Sequence, residues 1–108
     1  MIASQIVQEL AELTAENRKG VEVYAEVLEL LARCENQLDT IEARAFISAT
    51  GSVAERQAKA KLEAADVRLA RDLAKAQVDR VRAKLRAIES AIMAQATAAK
   101  MVQAEMKL

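Results

Sequence analysis

A chain of 108 residues without a single proline has few ways to end a helix, and Thr50-Gly51-Ser52 is the one clear place where this chain does so and begins again. Glycine adopts the left-handed conformation that closes a helix without steric cost. Ser52 follows as an N-cap, and Glu55 stands three residues later, the spacing of a capping box. The sequence therefore predicts two long helices: one over about 2–49, a turn at 50–52, and a second over about 53–106, all within a single domain spanning 1–108. There are 24 alanines and two aromatic residues, Tyr24 and Phe46, and Ala, Glu, Lys, Leu and Arg dominate. That composition belongs to long helices and coiled coils, and the fold class expected is all-α.

The turn also separates charge. Residues 1–51 carry 9 acidic and 4 basic side chains, a net charge of −5, and residues 52–108 carry 7 acidic and 12 basic, a net charge of +5. A tight turn sets the two helices antiparallel, which gives a dipolar helical hairpin.

The first helix carries an apolar row in alternating steps of three and four: Ala3, Ile6, Leu10, Leu13, Asn17, Gly20, Tyr24, Val27, Leu31, Cys34, Leu38, Ile41, Ala45 and Ser48. This heptad phase is that of a coiled-coil seam. Asn17 and Gly20 interrupt its chemistry but not its phase, so one helix with a soft or kinked point near Gly20 is expected, against two separate helices. Around residues 21–31 the apolar face widens. Val21 and Leu28 flank the row on one side, Val23 and Leu30 on the other, beside Tyr24, Val27 and Leu31 in the row itself. A two-helix seam needs only the two core rows, so these seven residues are the candidate oligomer interface of a helical homo-oligomer.

In the second helix the row reads Val78, Val81, Leu85, Ile88, Ile92, Ala99, Val102 and Met106. Carried backward, the phase takes in Val53, Ala60, Ala64, Val67 and Ala74, but also Gln57 and Arg71, and it leaves out Leu62, Leu69 and Leu73. A second stripe and a drift of the repeat are therefore expected over 57–76. The Ala- and Met-rich tail from Ala94 reads as a frayed end, a packing surface, or both. Symmetric closure on the turn sets Glu42 against Lys61, Glu35 against Arg68 and Glu16 against Lys84, and leaves Arg44 facing Arg56.

Catalysis finds little to work with. The chain has no histidine, Cys34 lies on the core row as an inert thiol, and both glycines stand alone, so no phosphate-cradling loop is present. A non-enzymatic protein without cofactor or metal is expected. The lone cysteine, the lack of a basic leader before an apolar run and the lack of a membrane-length apolar stretch set the expectation of a soluble, cytoplasmic protein with no membrane partner and no small-molecule substrate. Beside the turn, Arg44, Arg56, Lys59 and Lys61 form a basic cluster and the candidate nucleic-acid-binding site. Such a site would contact phosphate without reading sequence, because aromatic residues for base stacking are nearly absent.

The stretch Glu42-Ala43-Arg44-Ala45-Phe46-Ile47-Ser48-Ala49-Thr50-Gly51-Ser52-Val53-Ala54-Glu55-Arg56, with the segment Met101-Val102-Gln103-Ala104-Glu105-Met106, resembles small helical proteins of phage recombination regions and the phage recombination mediators of the UvsY type. The resemblance implies a ring-like homo-oligomer that binds single-stranded DNA and helps load a recombinase in the cytoplasm of a phage-infected bacterium, with Arg44 at the DNA-contacting position before the turn. The chain is shorter than those mediators and lacks their C-terminal aromatic segment. The competing expectation is a helical protein-interaction module, a scaffold or inhibitor of a host or phage protein, that binds no nucleic acid.

Overall fold

The computed structural model describes residues 2–107, and among these every regular element is helical. Helix α1 runs Ile2–Ser48, α2 Val53–Glu63 and α3 Ala65–Lys107. Helix α1 passes through Asn17 and Gly20 without a break in its assignment. The chain then turns at Gly51, whose φ of 110° is the one positive value among the described residues. Ser52 caps α2 by accepting a hydrogen bond from the Glu55 amide at 3.2 Å, which satisfies one of the orphan donors of the first turn.

The single helix expected over 53–106 is two. Ala64 lies between α2 and α3 with φ −87° and ψ 4°, outside helical geometry. Its amide still reaches the Ala60 carbonyl at 3.0 Å, and its own carbonyl accepts from the Arg68 amide at 2.9 Å. The interruption is thus one residue deep, and Ala64 is wholly shielded from solvent. It falls where a drift of the apolar repeat is expected. The covered row keeps its phase through the interruption: Ala60, Ala64, Val67, Arg71 and Ala74 are all buried or half-buried, in steps of four and three.

The residues group into two compact units. In the first, α1 up to Tyr24 packs against α3 from Arg80 onward. Gly20 lies against Leu85. The Tyr24 hydroxyl accepts from Arg82 Nε at 3.2 Å and Nη2 at 3.1 Å. Gln95 donates to the Glu9 carboxylate, and Ile6 and Ile88 are the buried apolar side chains. In the second unit, Ala25–Asp79, the rest of α1 packs against α2 and the start of α3, burying Leu38, Ala45, Ala60, Ala64, Ala74 and Val78.

The row read from α1 is the row that the fold covers, except at its last member, Ser48, which is exposed. Every member from Ala3 to Ala45 is buried or half-buried, and every residue outside it between Ile2 and Asp39 is exposed. In the later helices Ala60, Ala64, Val67, Arg71, Ala74, Val78, Val81, Leu85, Ile88, Ile92, Ala99 and Val102 are likewise covered to some degree. The ends of that row are not: Val53, Gln57 and Met106 are exposed.

Candidate functional site

The basic cluster beside the turn is built from the C-terminal end of α1 and the first turns of α2, both in the second unit. The last carbonyls of a helix have no intrahelical partners and carry its negative pole. Two of the four predicted nucleic-acid-binding residues are drawn onto backbone carbonyls there, one at the end of α1 and one in the turn that follows it. Arg56 Nε and Nη2 both donate to the Phe46 carbonyl, at 3.2 and 3.1 Å, and the guanidinium lies 4.3 Å from the centroid of the Phe46 ring. Lys59 Nζ donates to the Thr50 carbonyl at 3.1 Å.

Arg44 and Lys61 behave differently. Both are exposed, and neither is held by a hydrogen bond or ion pair among the described residues. The predicted opposition of Arg44 and Arg56 is resolved within the chain, since Arg56 turns to the backbone and aromatic ring of Phe46. The four side chains are close in sequence, but two serve the turn and two project from it.

The predicted cross-helix pairs are also redistributed. Glu42 pairs with Arg68 rather than with Lys61. The same guanidinium donates through Nη1 to the Lys61 carbonyl at 3.3 Å, one of the terminal carbonyls of α2. Arg68 therefore ties α1 to α2 across the interruption at Ala64, and it is unavailable to Glu35. Glu16 and Lys84 line one cavity of about 380 Å³ in the first unit, together with Gly20 and Leu85, without forming an ion pair.

The seven candidate interface residues divide by unit and by exposure. Tyr24 in the first unit, and Val27 and Leu31 in the second, are half-buried in the covered row. Val21 and Val23 in the first unit, and Leu28 and Leu30 in the second, are exposed. They are joined in the second unit by Leu62 at 78% exposure, Leu69 at 58% and Leu73 at 61%. These leucines are the second stripe that the sequence displays outside the main row.

No protein-family model, curated protein or solved structure matches this chain.

Among the described residues no group of three or more His, Cys, Asp or Glu side chains is placed to hold a metal ion, and no helix is long and apolar enough to cross a membrane. Cys34 is a half-buried free thiol. The contact between Arg56 and Phe46 has no sequence signal beyond an arginine and an aromatic residue ten positions apart across a turn. The pairing of Arg68 with Glu42 departs from the register that symmetric closure on the turn predicts.

Proposed function

We propose that this chain is a helical interaction module that completes its core by assembling with copies of itself, as a coiled-coil homo-oligomer of helical hairpins. The observation that carries this reading is the balance of its apolar surface. Eight hydrophobic residues are buried among those described, and four of them are alanine, while fourteen large hydrophobic side chains are exposed. None of the large side chains is fully buried. The accessible surface is 8188 Å², where folded monomers of this mass expose about 5,900 Å². Scattered single apolar residues are ordinary on a protein surface, but stripes at helical spacing mark interaction sites. Sedimentation equilibrium tests the proposal: masses at multiples of 11.8 kDa are expected, and a monomer that keeps its full helicity at all accessible concentrations overturns it.

A second reading is favoured by Arg44 and Lys61, which are exposed and unengaged beside the turn. It is binding to the phosphate backbone of single-stranded DNA, in a non-enzymatic accessory role like that implied by the resemblance to phage recombination mediators. A recombinase would then be the protein partner and an infected bacterial cytoplasm the setting. In this reading Arg44 and Lys61 meet phosphate, and Arg56 and Lys59 hold the turn that presents them. Oligonucleotide binding that weakens with salt tests it, and its absence at low salt removes it.

A further inference from the structure

We infer that the outward face of α2 and the start of α3 is a docking face for α1 of a second copy, so that the chains join head to tail. The inference rests on the self-association proposed above and names the surfaces that carry it. Ala58, Leu62, Ala65, Leu69, Asp72 and Ala76 follow one another in steps of four and three, a second heptad stripe within the second unit. All six are exposed. Leu62 lies two residues from both Ala60 and Ala64, hence about 160° round the helix from them. The stripe therefore looks away from the row that α1 covers in its own chain. Alternation of alanine with leucine leaves room for a facing helix to approach closely, and exposed Leu73 broadens the stripe on one side.

Charge selects the occupant. Lys61, Arg68 and Lys75 recur every seven residues along one border of the stripe. Arg68 is turned onto Glu42 and the Lys61 carbonyl of its own chain, while Lys61 and Lys75 remain exposed. Two copies of this stripe packed antiparallel would set Lys61 against Lys75 at both ends, and like charges at such positions oppose pairing. The α1 segment of the second unit offers the opposite sign. Ala25, Leu28, Ala32, Glu35 and Asp39 follow one another there in steps of three and four along one face, and all five are exposed. The basic-bordered leucine stripe of one copy thus fits the acidic, leucine-bearing α1 of the next.

Such an interface is heterologous: each chain offers one stripe and one α1, and assembly continues until a ring closes or a filament forms. Area leaves room for two such interfaces on each chain. The surface exposed beyond that of a monomer of this mass is about 2,300 Å², and two standard interfaces remove about 800 Å² each from a chain.

The test uses the full chain and sedimentation equilibrium alongside far-UV circular dichroism. Leu62→Lys with Leu69→Lys alters exposed positions and is expected to reduce the assembly to single chains. Charge reversal gives an arm that leaves the apolar surface intact. Lys61→Glu with Lys75→Glu, and separately Glu35→Lys with Asp39→Lys, each weaken assembly at low salt by tenfold or more. Mixing the two variants restores assembly with the two kinds of chain alternating, and placing all four substitutions in one chain restores the parent mass. Retention of the parent mass by the leucine variant, or failure of the fourfold exchange to restore assembly, overturns the docking inference. If the unaltered chain is itself monomeric, the self-association proposal fails first, so the two failures are distinct.

Discussion

Leu85 occupies the space that a side chain on Gly20 would need, its Cδ2 atom 2.6 Å from where a Cβ would stand and its Cγ 3.5 Å away. The atom in the way is the end of a flexible side chain, and Leu85 and Gly20 together line the 380 Å³ cavity of the first unit. The leucine methyl has somewhere to go. Glycine within a helix costs about 1 kcal/mol relative to alanine. Gly20→Ala is therefore expected to stabilise the chain by about 0.5 kcal/mol, the propensity gain less a smaller repacking cost. Gly20→Leu brings more atoms than the cavity edge accommodates and is expected to destabilise by about 1–3 kcal/mol. Urea denaturation followed by circular dichroism measures both, and equal losses from the two substitutions would contradict this account.

Asn17 is the other polar intrusion in the α1 row, one turn before Gly20. Its Oδ1 is buried without a hydrogen-bond partner. A buried acceptor left unpaired costs about 1–3 kcal/mol, so Asn17→Leu is expected to raise stability by about 1–2 kcal/mol. Polar residues at core positions also hold helices in one alignment. The same substitution should therefore broaden the distribution of assembled masses. Stabilisation is read from denaturant midpoints and the distribution from sedimentation. A loss of stability in Asn17→Leu would mean that Oδ1 finds a donor in the assembled protein.

How far the fold was legible can be followed along α1. Asn17 and Gly20 lie in the covered row because periodicity is a property of the whole helix, and one polar residue or one glycine does not change which side faces the partner segment. Spacing alone identified that row from Ala3 to Ala45. Spacing did not reveal Ala64 as an interruption, because alanine is the best of helix formers and nothing local marks it. The drift expected from Leu62, Leu69 and Leu73 is not seen either: those leucines are exposed, and the covered row continues through Ala64 in phase. Once Arg68 had been brought over the end of α2, the pairing of Glu42 with Lys61 was lost, since the longer, forked guanidinium reaches Glu42 and the Lys61 carbonyl together. The basic cluster was legible as composition but not as geometry. Sequence does not say which cations will be drawn to the end of a helix by its unpaired carbonyls.

Gly51 and Ser52 make separable contributions to the turn. Ser52→Ala removes the acceptor for the Glu55 amide and is expected to cost about 1 kcal/mol. Gly51→Ala forces an L side chain to a φ of 110° and crowds the Glu55 carboxylate, whose Oε2 lies 2.5 Å from the site of the new Cβ. The carboxylate can rotate away, but the backbone cannot relax without opening the turn. A cost of about 1–3 kcal/mol is expected. Gly51→Asn should recover part of it, because asparagine tolerates positive φ better than alanine. Thermal denaturation of the three variants gives the order, and an alanine at position 51 that costs nothing would show that the turn has other conformations of equal energy.

The four basic residues beside the turn should separate in experiments that measure stability and anion binding together. Arg56→Ala loses two hydrogen bonds to the Phe46 carbonyl and the guanidinium stacked on its ring. A cost of about 1–2 kcal/mol is expected. Arg56→Lys should recover little, since an ammonium cannot make the planar, forked contact. Arg44→Ala and Lys61→Ala remove exposed, unengaged side chains and should change stability by less than about 0.5 kcal/mol. If the turn meets nucleic acid, the order reverses in the binding measurement. Loss of two phosphate contacts in the Arg44→Ala, Lys61→Ala double variant should reduce the slope of log affinity against log salt by about 1.4 for single-stranded DNA. Arg56 would then affect binding only through the stability of the turn. Fluorescence anisotropy with a labelled oligonucleotide at several salt concentrations, beside denaturation of the same proteins, resolves the two roles. A double variant with an unchanged slope would remove Arg44 and Lys61 from any nucleic-acid interface and leave self-association as the role of the chain.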